Sequence, residues 1–370
     1  MGSFFVHRAK EGRPEDRGAP PWEGFDGRGV GIVRVAVFGA TGMVGREMLS
    51  VLEERRFPAE EVIALASPRS EGTPLPFRGG ELRVRAVEER HFAGVDLAIF
   101  SAGGGASREW ASVAVRQGAV VVDNSSAWRM DPAVPLVVPE VNPGDALRHR
   151  GIIANPNCST IITLMALAPL HREAELEYFS AVTFQSVAGS GRKGVEELER
   201  TARDALGGAD PQGSLYPHPI AFNVLPQVGN FDDGGVSDEE WKMVRESRKI
   251  LGLPGLDVSS TTTRVPVFCG HSVAVTARFR RDLSPERARE VLAQAPGVLV
   301  EDDPSRGFYP HPRRAAGTDP VYVGRLRRDT GMGNALAFWV VGDNVRKGAA
   351  LNAVQIGELL LRENSLGKRS

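Results

Sequence analysis

Residues 33–45 read VRVAVFGATGMVG. Val33-Arg34-Val35-Ala36-Val37-Phe38 is a buried-strand pattern, a short apolar run rich in valine and closed by a glycine. It passes without a break into Gly39-Ala40-Thr41-Gly42-Met43-Val44-Gly45 and then into a helical stretch from Arg46 to Arg55. Strand, glycine turn and helix in this order give a glycine motif its phosphate-binding context. Gly39, Gly42 and Gly45 permit a tight turn, close approach of backbone to a pyrophosphate, and close helix–strand packing. The reading is a dinucleotide-binding turn, with a merely structural turn as the alternative.

Outward from this turn, β-like runs follow at Val62–Ala66, Val95–Phe100, Val120–Val122 and Gly151–Ala154, with helical stretches between some of them. Such alternation predicts a parallel sheet covered on both faces. Beyond Leu170 the texture changes. Tyr178–Val187, Thr263–Val267 and Ser272–Arg280 read as strands, separated by helical stretches at Val195–Leu206 and Glu239–Leu251. The tail reads as a loop around Asn344–Ala350 and an amphipathic helix over Leu351–Arg362 that packs back onto the first domain. The predicted fold is α/β: a Rossmann-type domain over 31–156 and 344–363, with an inserted α+β domain over 157–343.

At 370 residues the chain exceeds one ordinary core, in keeping with two domains. Its residues are 42% apolar and 25% charged, with a net charge of −1. That balance argues against nucleic-acid or membrane-surface binding through bulk charge. No apolar run is long enough to span a bilayer. Two cysteines, Cys158 and Cys269, give neither a disulfide framework nor a metal pattern, so no metal is expected and the cytoplasm is the natural compartment. Residues 1–30, rich in Gly, Pro and charge, read as a disordered leader.

The end of the second strand bears on cofactor choice. NAD-preferring folds place an acid there to hold the ribose 2′-OH. Here the chain reads Ala66-Ser67-Pro68-Arg69-Ser70, with hydroxyls and an arginine. Ser67, Arg69 and Ser70 suit a 2′-phosphate and so NADP(H); an ordinary polar loop is the other reading.

Cys158 follows Asn155-Pro156-Asn157 and precedes an apolar stretch through Ile161, Leu164, Met165 and Leu167. Asn and Ser are helix caps, so the cysteine falls at a helix start, where free N–H groups and the dipole favour an anion. A cysteine so placed is expected to have a lowered pKa and to be nucleophilic. It could equally be a small residue packing the helix start. A reactive thiol beside a nicotinamide suggests aldehyde oxidation or its reverse, through a hemithioacetal and a thioester. Such chemistry needs a proton carrier. His271 follows a glycine inside an apolar strand region, unlike the other histidines, and is the candidate, a structural role being the alternative. Arg264 enters an apolar run after three threonines, and its planar guanidinium suits a carboxylate.

The segments GATGMVG, SSAWRM, NPNCST, FQSVAGSGRKG, EEWK, TRVPVFCGHS and DNVRKGAALNAVQI together resemble the aspartate-β-semialdehyde dehydrogenases of the bacterial type, from about Val33 to about Leu361. The resemblance implies reversible, NADPH-dependent reductive dephosphorylation of L-aspartyl-4-phosphate to L-aspartate-4-semialdehyde and phosphate, on the way to lysine, threonine, methionine and diaminopimelate. It implies Cys158 as nucleophile, His271 as acid/base and Gln185 as the residue orienting the substrate. Arg264 would grip the substrate carboxylate, Glu239 the amino group, and Lys242 with Arg129 the phosphate, with Asn157 beside them. Thr41, Met43, Val44, Ala188, Gly189 and Asn344 would join Gly39, Gly42 and Gly45 in holding the cofactor. A homodimer, or a tetramer of two such dimers, is implied. Without the resemblance, Glu239 and Lys242 would read as a surface ion pair. The nearest enzymatic alternative is N-acetyl-γ-glutamyl-phosphate reductase, whose cysteine motif reads Asn-Pro-Gly-Cys-Tyr. A regulatory NADP-binding protein that turns nothing over is the other.

Overall fold

The computed structural model describes residues 33–366; the leader expected over 1–30 lies outside them. In the first half, β1 (Val33–Phe38), α1 (Met43–Glu54) and β2 (Ala59–Ala66) are followed by the short strands β3 (Pro74–Phe77), β4 (Gly80–Arg83) and β5 (Arg85–Ala86). Next come β6 (Leu97–Phe100), α2 (Gly104–Arg116), β7 (Val120–Asp123), α3 (Pro143–Ala146) and β8 (Ile152–Ala154). Six of these strands form a parallel sheet in the order β5-β2-β1-β6-β7-β8. The order reverses between β2 and β6 on either side of β1, so a crevice opens past the carboxyl end of β1, where the glycine turn lies. Fully buried strands such as Leu97–Phe100 read as continuous apolar runs because helices cover both faces.

The second half begins with α4 (Cys158–Ala174) and β9 (Leu176–Gln185), then α5 (Arg192–Leu206), α6 (Asp238–Leu251), β10 (Asp257–Arg264), β11 (His271–Phe279) and α7 (Pro285–Ala293). It continues through β12 (Val298–Val300), α8 (Pro312–Ala315), β13 (Val321–Arg328) and β14 (Ala335–Gly342) to α9 (Leu351–Arg362). A mixed sheet runs β10-β9-β11-β14-β13-β12. One face packs against α4, α6 and α7 around Leu164, Phe179, Met243, Val275 and Leu292. On the opposite face, Ser180, Val182, Phe184, Ala274, Thr276 and Trp339 are only partly buried.

Three expectations shift. The strand expected at Thr263–Val267 ends instead at Arg264 and begins at Asp257, since Pro266 offers no N–H to a ladder. The loop before α9 is a π-helical turn, Arg346–Ala350. α9 packs onto the first domain as expected, but its polar face is covered too: it is buried almost all round from Leu351 to Leu361, enclosed by α1 and the first sheet, where Leu351, Val354, Ile356 and Leu360 join the core of β1 and α1.

Candidate active site

Cys158 opens α4 directly beyond β8, with Asn157 as its cap. The Asn157 Oδ1 accepts the N–H groups of Ser159 (3.0 Å) and Thr160 (3.3 Å), while its Nδ2 donates to Glu239 Oε1 (2.9 Å). Its backbone N–H donates to Glu246 Oε2 (2.7 Å), so the residue before the thiol is fixed from four directions. Burial and then the Glu239 carboxylate push the Cys158 thiol up to about 11, against the opposing pull of Arg129, Arg264 and the Ser159 N–H. The expected lowering is therefore overturned: the helix start does pull down, but loss of water outweighs it.

Glu239 and Lys242 lie on α6, which starts with a full capping box between Ser237 and Glu240 and ends on Gly252 in the left-handed conformation. Glu239 is buried and accepts from Gln185 Nε2 (3.2 Å) as well as Asn157. Burial raises its carboxyl, but the Lys242 ammonium at 3.0 Å and the two amide donors bring it below the usual range. The pair is thus no solvated surface contact.

His271 opens β11 after Gly270, whose φ of +91° favours glycine. Its Nδ1 accepts the Ser186 backbone N–H at 3.1 Å, and the Ser186 hydroxyl donates to Asn344 Oδ1 (2.9 Å). A ring accepting at Nδ1 carries its neutral-state proton on Nε2. That Nε2 is buried and has no partner. Burial first, and then Arg264, push the imidazole down to about 3. Arg264, at the end of β10, donates to Ser186 O (2.7 Å) and faces Tyr216. Exposed Gly189 adjoins both: a Cβ there would lie 2.7 Å from Arg264 Nη1 and 3.4 Å from His271 Nε2.

Arg129 is buried. It donates through Nε to Asn155 O (2.9 Å), through Nη1 to Glu246 Oε1 (3.1 Å) and through Nη2 to Asn124 O (3.0 Å). Two of its five N–H groups remain for a ligand. Glu246 and Asn155 escaped the sequence reading. The signal for Glu246 was its place seven residues after Glu239, on the same face of α6.

At the glycine turn, Gly39 has φ +88° and a Cβ there would stand 2.6 Å from the Ser101 backbone; one on Gly45 would collide with the Gly39 carbonyl. Gly42 caps α1 with no side-chain acceptor, leaving first-turn N–H groups for an anion. Arg69 lies in a 3₁₀ turn, Pro68–Ser70, whose Ser70 hydroxyl is 3.5 Å from that of Thr41. Met43 and Val44 pack with Ala188 in one apolar cluster that joins the glycine turn to the second half. These residues fit a dinucleotide. Among the described residues, no group of three or more His, Cys, Asp and Glu is placed to hold a metal ion.

The glycine-turn crevice, with a helix-start thiol, a buried imidazole and two buried arginines, is in keeping with a nicotinamide-dependent oxidoreductase, and the class is that of the semialdehyde dehydrogenases. Residues 34–149 match the family model for the semialdehyde dehydrogenase NAD binding domain, and residues 167–347 that for the dimerisation domain. The chain belongs to the aspartate-semialdehyde dehydrogenase family. It is 51% identical to the Aquifex aeolicus (strain VF5) aspartate-semialdehyde dehydrogenase over 334 residues, covering 89% of this chain and 98% of that one. With the Synechocystis protein the identity is 46%, over 90% of this chain and 99% of the other. A crystal structure of aspartate semialdehyde dehydrogenase II from Vibrio cholerae superposes with a TM-score of 0.88 at 46% identity, covering 90% and 99% of the two chains. The same enzyme complexed with ASA gives 0.88 at 45%, with the same coverage. No helix among the described residues is long and apolar enough to cross a membrane.

Proposed function

We propose that this enzyme reduces L-aspartyl-4-phosphate to L-aspartate-4-semialdehyde with NADPH, reversibly, through a thioester on Cys158, and so serves lysine, threonine, methionine and diaminopimelate synthesis. The observation that carries the reading is the ring of charge around the thiol: Glu239, Arg129 and Arg264 all act on Cys158. An amino acid bearing a phosphoryl group needs one partner for each of its three charged ends. Glu239 suits the ammonium, Arg264 the α-carboxylate, and Arg129 with Lys242 the phosphate.

Cys158, once deprotonated, attacks the acyl carbon; the carbon–oxygen bond to phosphate breaks and phosphate leaves. Asn157 and Gln185 hold Glu239 in place, and Gln185 lies where it can orient the substrate. Gly39, Thr41, Gly42 to Gly45, Ala188, Gly189 and Asn344 would hold NADPH, which would supply the hydride that the reduction needs. His271 is a donor at Nε2, so it gives its proton to the oxygen that gains charge. Collapse of that adduct breaks the carbon–sulfur bond: its hydroxyl proton returns to the ring, the aldehyde is released and the sulfur leaves as thiolate. Ser67, Arg69 and Ser70, with no acid at the end of β2, support NADPH over NADH. The half-exposed face of the second sheet suits a second copy of the chain, giving a homodimer; cytoplasmic residence accords with two unpaired cysteines.

Phosphate-dependent reduction of NADP with aspartate semialdehyde tests the reading. Turnover with N-acetylglutamate semialdehyde instead would assign the chain to the acetylated-substrate reductases, and turnover with neither would sink the proposal.

A further inference from the structure

Residues Arg346–Ala350 form a π-helical turn, closed by wide i→i−5 hydrogen bonds from Gly348 N to Asp343 O and from Ala350 N to Val345 O, each 2.9 Å. A π turn holds one residue more than an α turn, and such turns frequently mark functional sites. The surplus brings Gly348 against the first residue of α4. A Cβ built on Gly348 would stand 2.9 Å from Cys158 Cβ, 3.4 Å from Cys158 Cα and 3.3 Å from Asp343 O. Gly348 has no positive φ, so alanine would fit its backbone, and the closest obstruction is the Cys158 Cβ.

Neither side of this contact can easily give way. Lys347, one residue earlier, is 1% exposed, and its ammonium donates to both Glu140 oxygens (2.7 and 2.6 Å), Asn352 Oδ1 (2.9 Å) and Gln355 Oε1 (2.7 Å). Asn352 in turn donates to Asn155 Oδ1 (2.7 Å), in the segment leading to the thiol. On the other side Asn157 is held by Glu246 and Glu239.

We infer that Gly348 is a positioning residue for the reaction: the π turn seats it as the wall that fixes the Cys158 Cβ, and so the direction from which the sulfur reaches the acyl carbon. The inference rests on Cys158 as nucleophile, but the contact can be tested without that. A methyl at position 348 displaces the thiol by a fraction of an ångström to an ångström, and a 1 Å misplacement costs on the order of 100-fold in rate.

Gly348→Ala is expected to lower kcat by about 10- to 100-fold, with KM for semialdehyde and for phosphate within about twofold of wild type. Alkylation of Cys158 by iodoacetamide, followed by peptide mapping, should change rate in parallel. Thermal unfolding then isolates the contact: Gly348→Ala should lower Tm in the wild-type background and leave it unchanged in Cys158→Gly, which has no Cβ to strike. Unaltered kcat in Gly348→Ala, or an equal Tm loss in both backgrounds, overturns the inference. Should Gly348→Ala alone fail to fold, folding of the Cys158→Gly double variant supports it and failure of both overturns it. Retained turnover in Cys158→Ser would instead remove the nucleophile assignment while leaving the Tm coupling intact.

Discussion

The half-buried Cys158 thiol is pushed up to about 11 because loss of water and the Glu239 carboxylate together outweigh two arginines and a helix start. The sequence reading reached the position and the helix but had the sign of the shift reversed. A helix start is written in local residues such as Asn157, whereas the loss of water around the sulfur is decided by segments far away in the chain. The same arrangement suggests how the thiol is switched on: a substrate ammonium that neutralises Glu239 removes the second contribution holding the proton. Glu239→Gln is accordingly expected to lower the pH midpoint of Cys158 alkylation relative to the wild type, whose own midpoint is expected at about 11; an unchanged midpoint would show that burial acts alone. Cys158→Ser should bind NADPH but lose nearly all turnover, and Cys269→Ser should keep it. His271 gives a second titration. Its folded pKa of about 3 lies below the ordinary 6.5, so below about pH 6.5 the unfolded chain takes up a proton that the folded chain refuses. Stability therefore falls as pH drops from about 6.5 toward about 3, and His271→Asn should flatten that decline. Urea unfolding of both proteins at pH 7 and pH 5 measures it; equal slopes would contradict a buried neutral ring.

α6 gathers the chemistry onto one face. Glu239, Lys242, Glu246 and Lys249 recur at helical spacing, and all but Lys242 bond to residues outside the helix. Glu239 meets Asn157 and Gln185, Glu246 bridges Arg129 and the Asn157 N–H, and Lys249 donates to the carbonyls of Arg129, Asp131 and Val134 at 2.7–2.8 Å. The helix was read over Glu239–Leu251, one residue short of its start, and EEWK, one of the segments that carry the resemblance, lies in its first turn. Glu246 and Lys249 were not legible as site residues, because a charge on a helix reads as solvated until its partners on other segments are known. If Lys242 holds phosphate and Arg264 the carboxylate, the two ends separate kinetically. Lys242→Ala should raise KM for phosphate with little effect on the semialdehyde. Arg264→Lys keeps the charge but loses the planar fork, and should cost about 10- to 150-fold in kcat/KM, the equivalent of roughly 1.5–3 kcal/mol. The reverse pattern would mean the substrate lies the other way round.

Across the molecule, the parallel sheet, the glycine turn and the second domain could be read from local pattern, since strands buried on both faces announce themselves as apolar runs. The enclosure of α9 could not: its helix was evident, but only the folded chain shows α1 on one side of it and the first sheet on the other. The return segment is bolted in place by Arg346, paired with Glu47, Glu54 and Asp319, and by Lys347 with Glu140, whose side chains are 1% and 4% exposed. Removing one member of a buried pair strands the other, so Lys347→Met should destabilise by about 3–5 kcal/mol, with partial recovery on adding Glu140→Gln. Chemical denaturation measures both, and a loss under about 1 kcal/mol would show that the pair is no anchor. The position of α9 has a further bearing on how the protein is made. A ribosome extrudes β1 to β8 first, yet the helix that closes their core and the turn that seats the thiol emerge only after the whole of the second sheet. A nascent chain can fold its early domain only as an open-sided intermediate until α9 has been made, so nucleophile and dinucleotide crevice come into register only after that helix emerges.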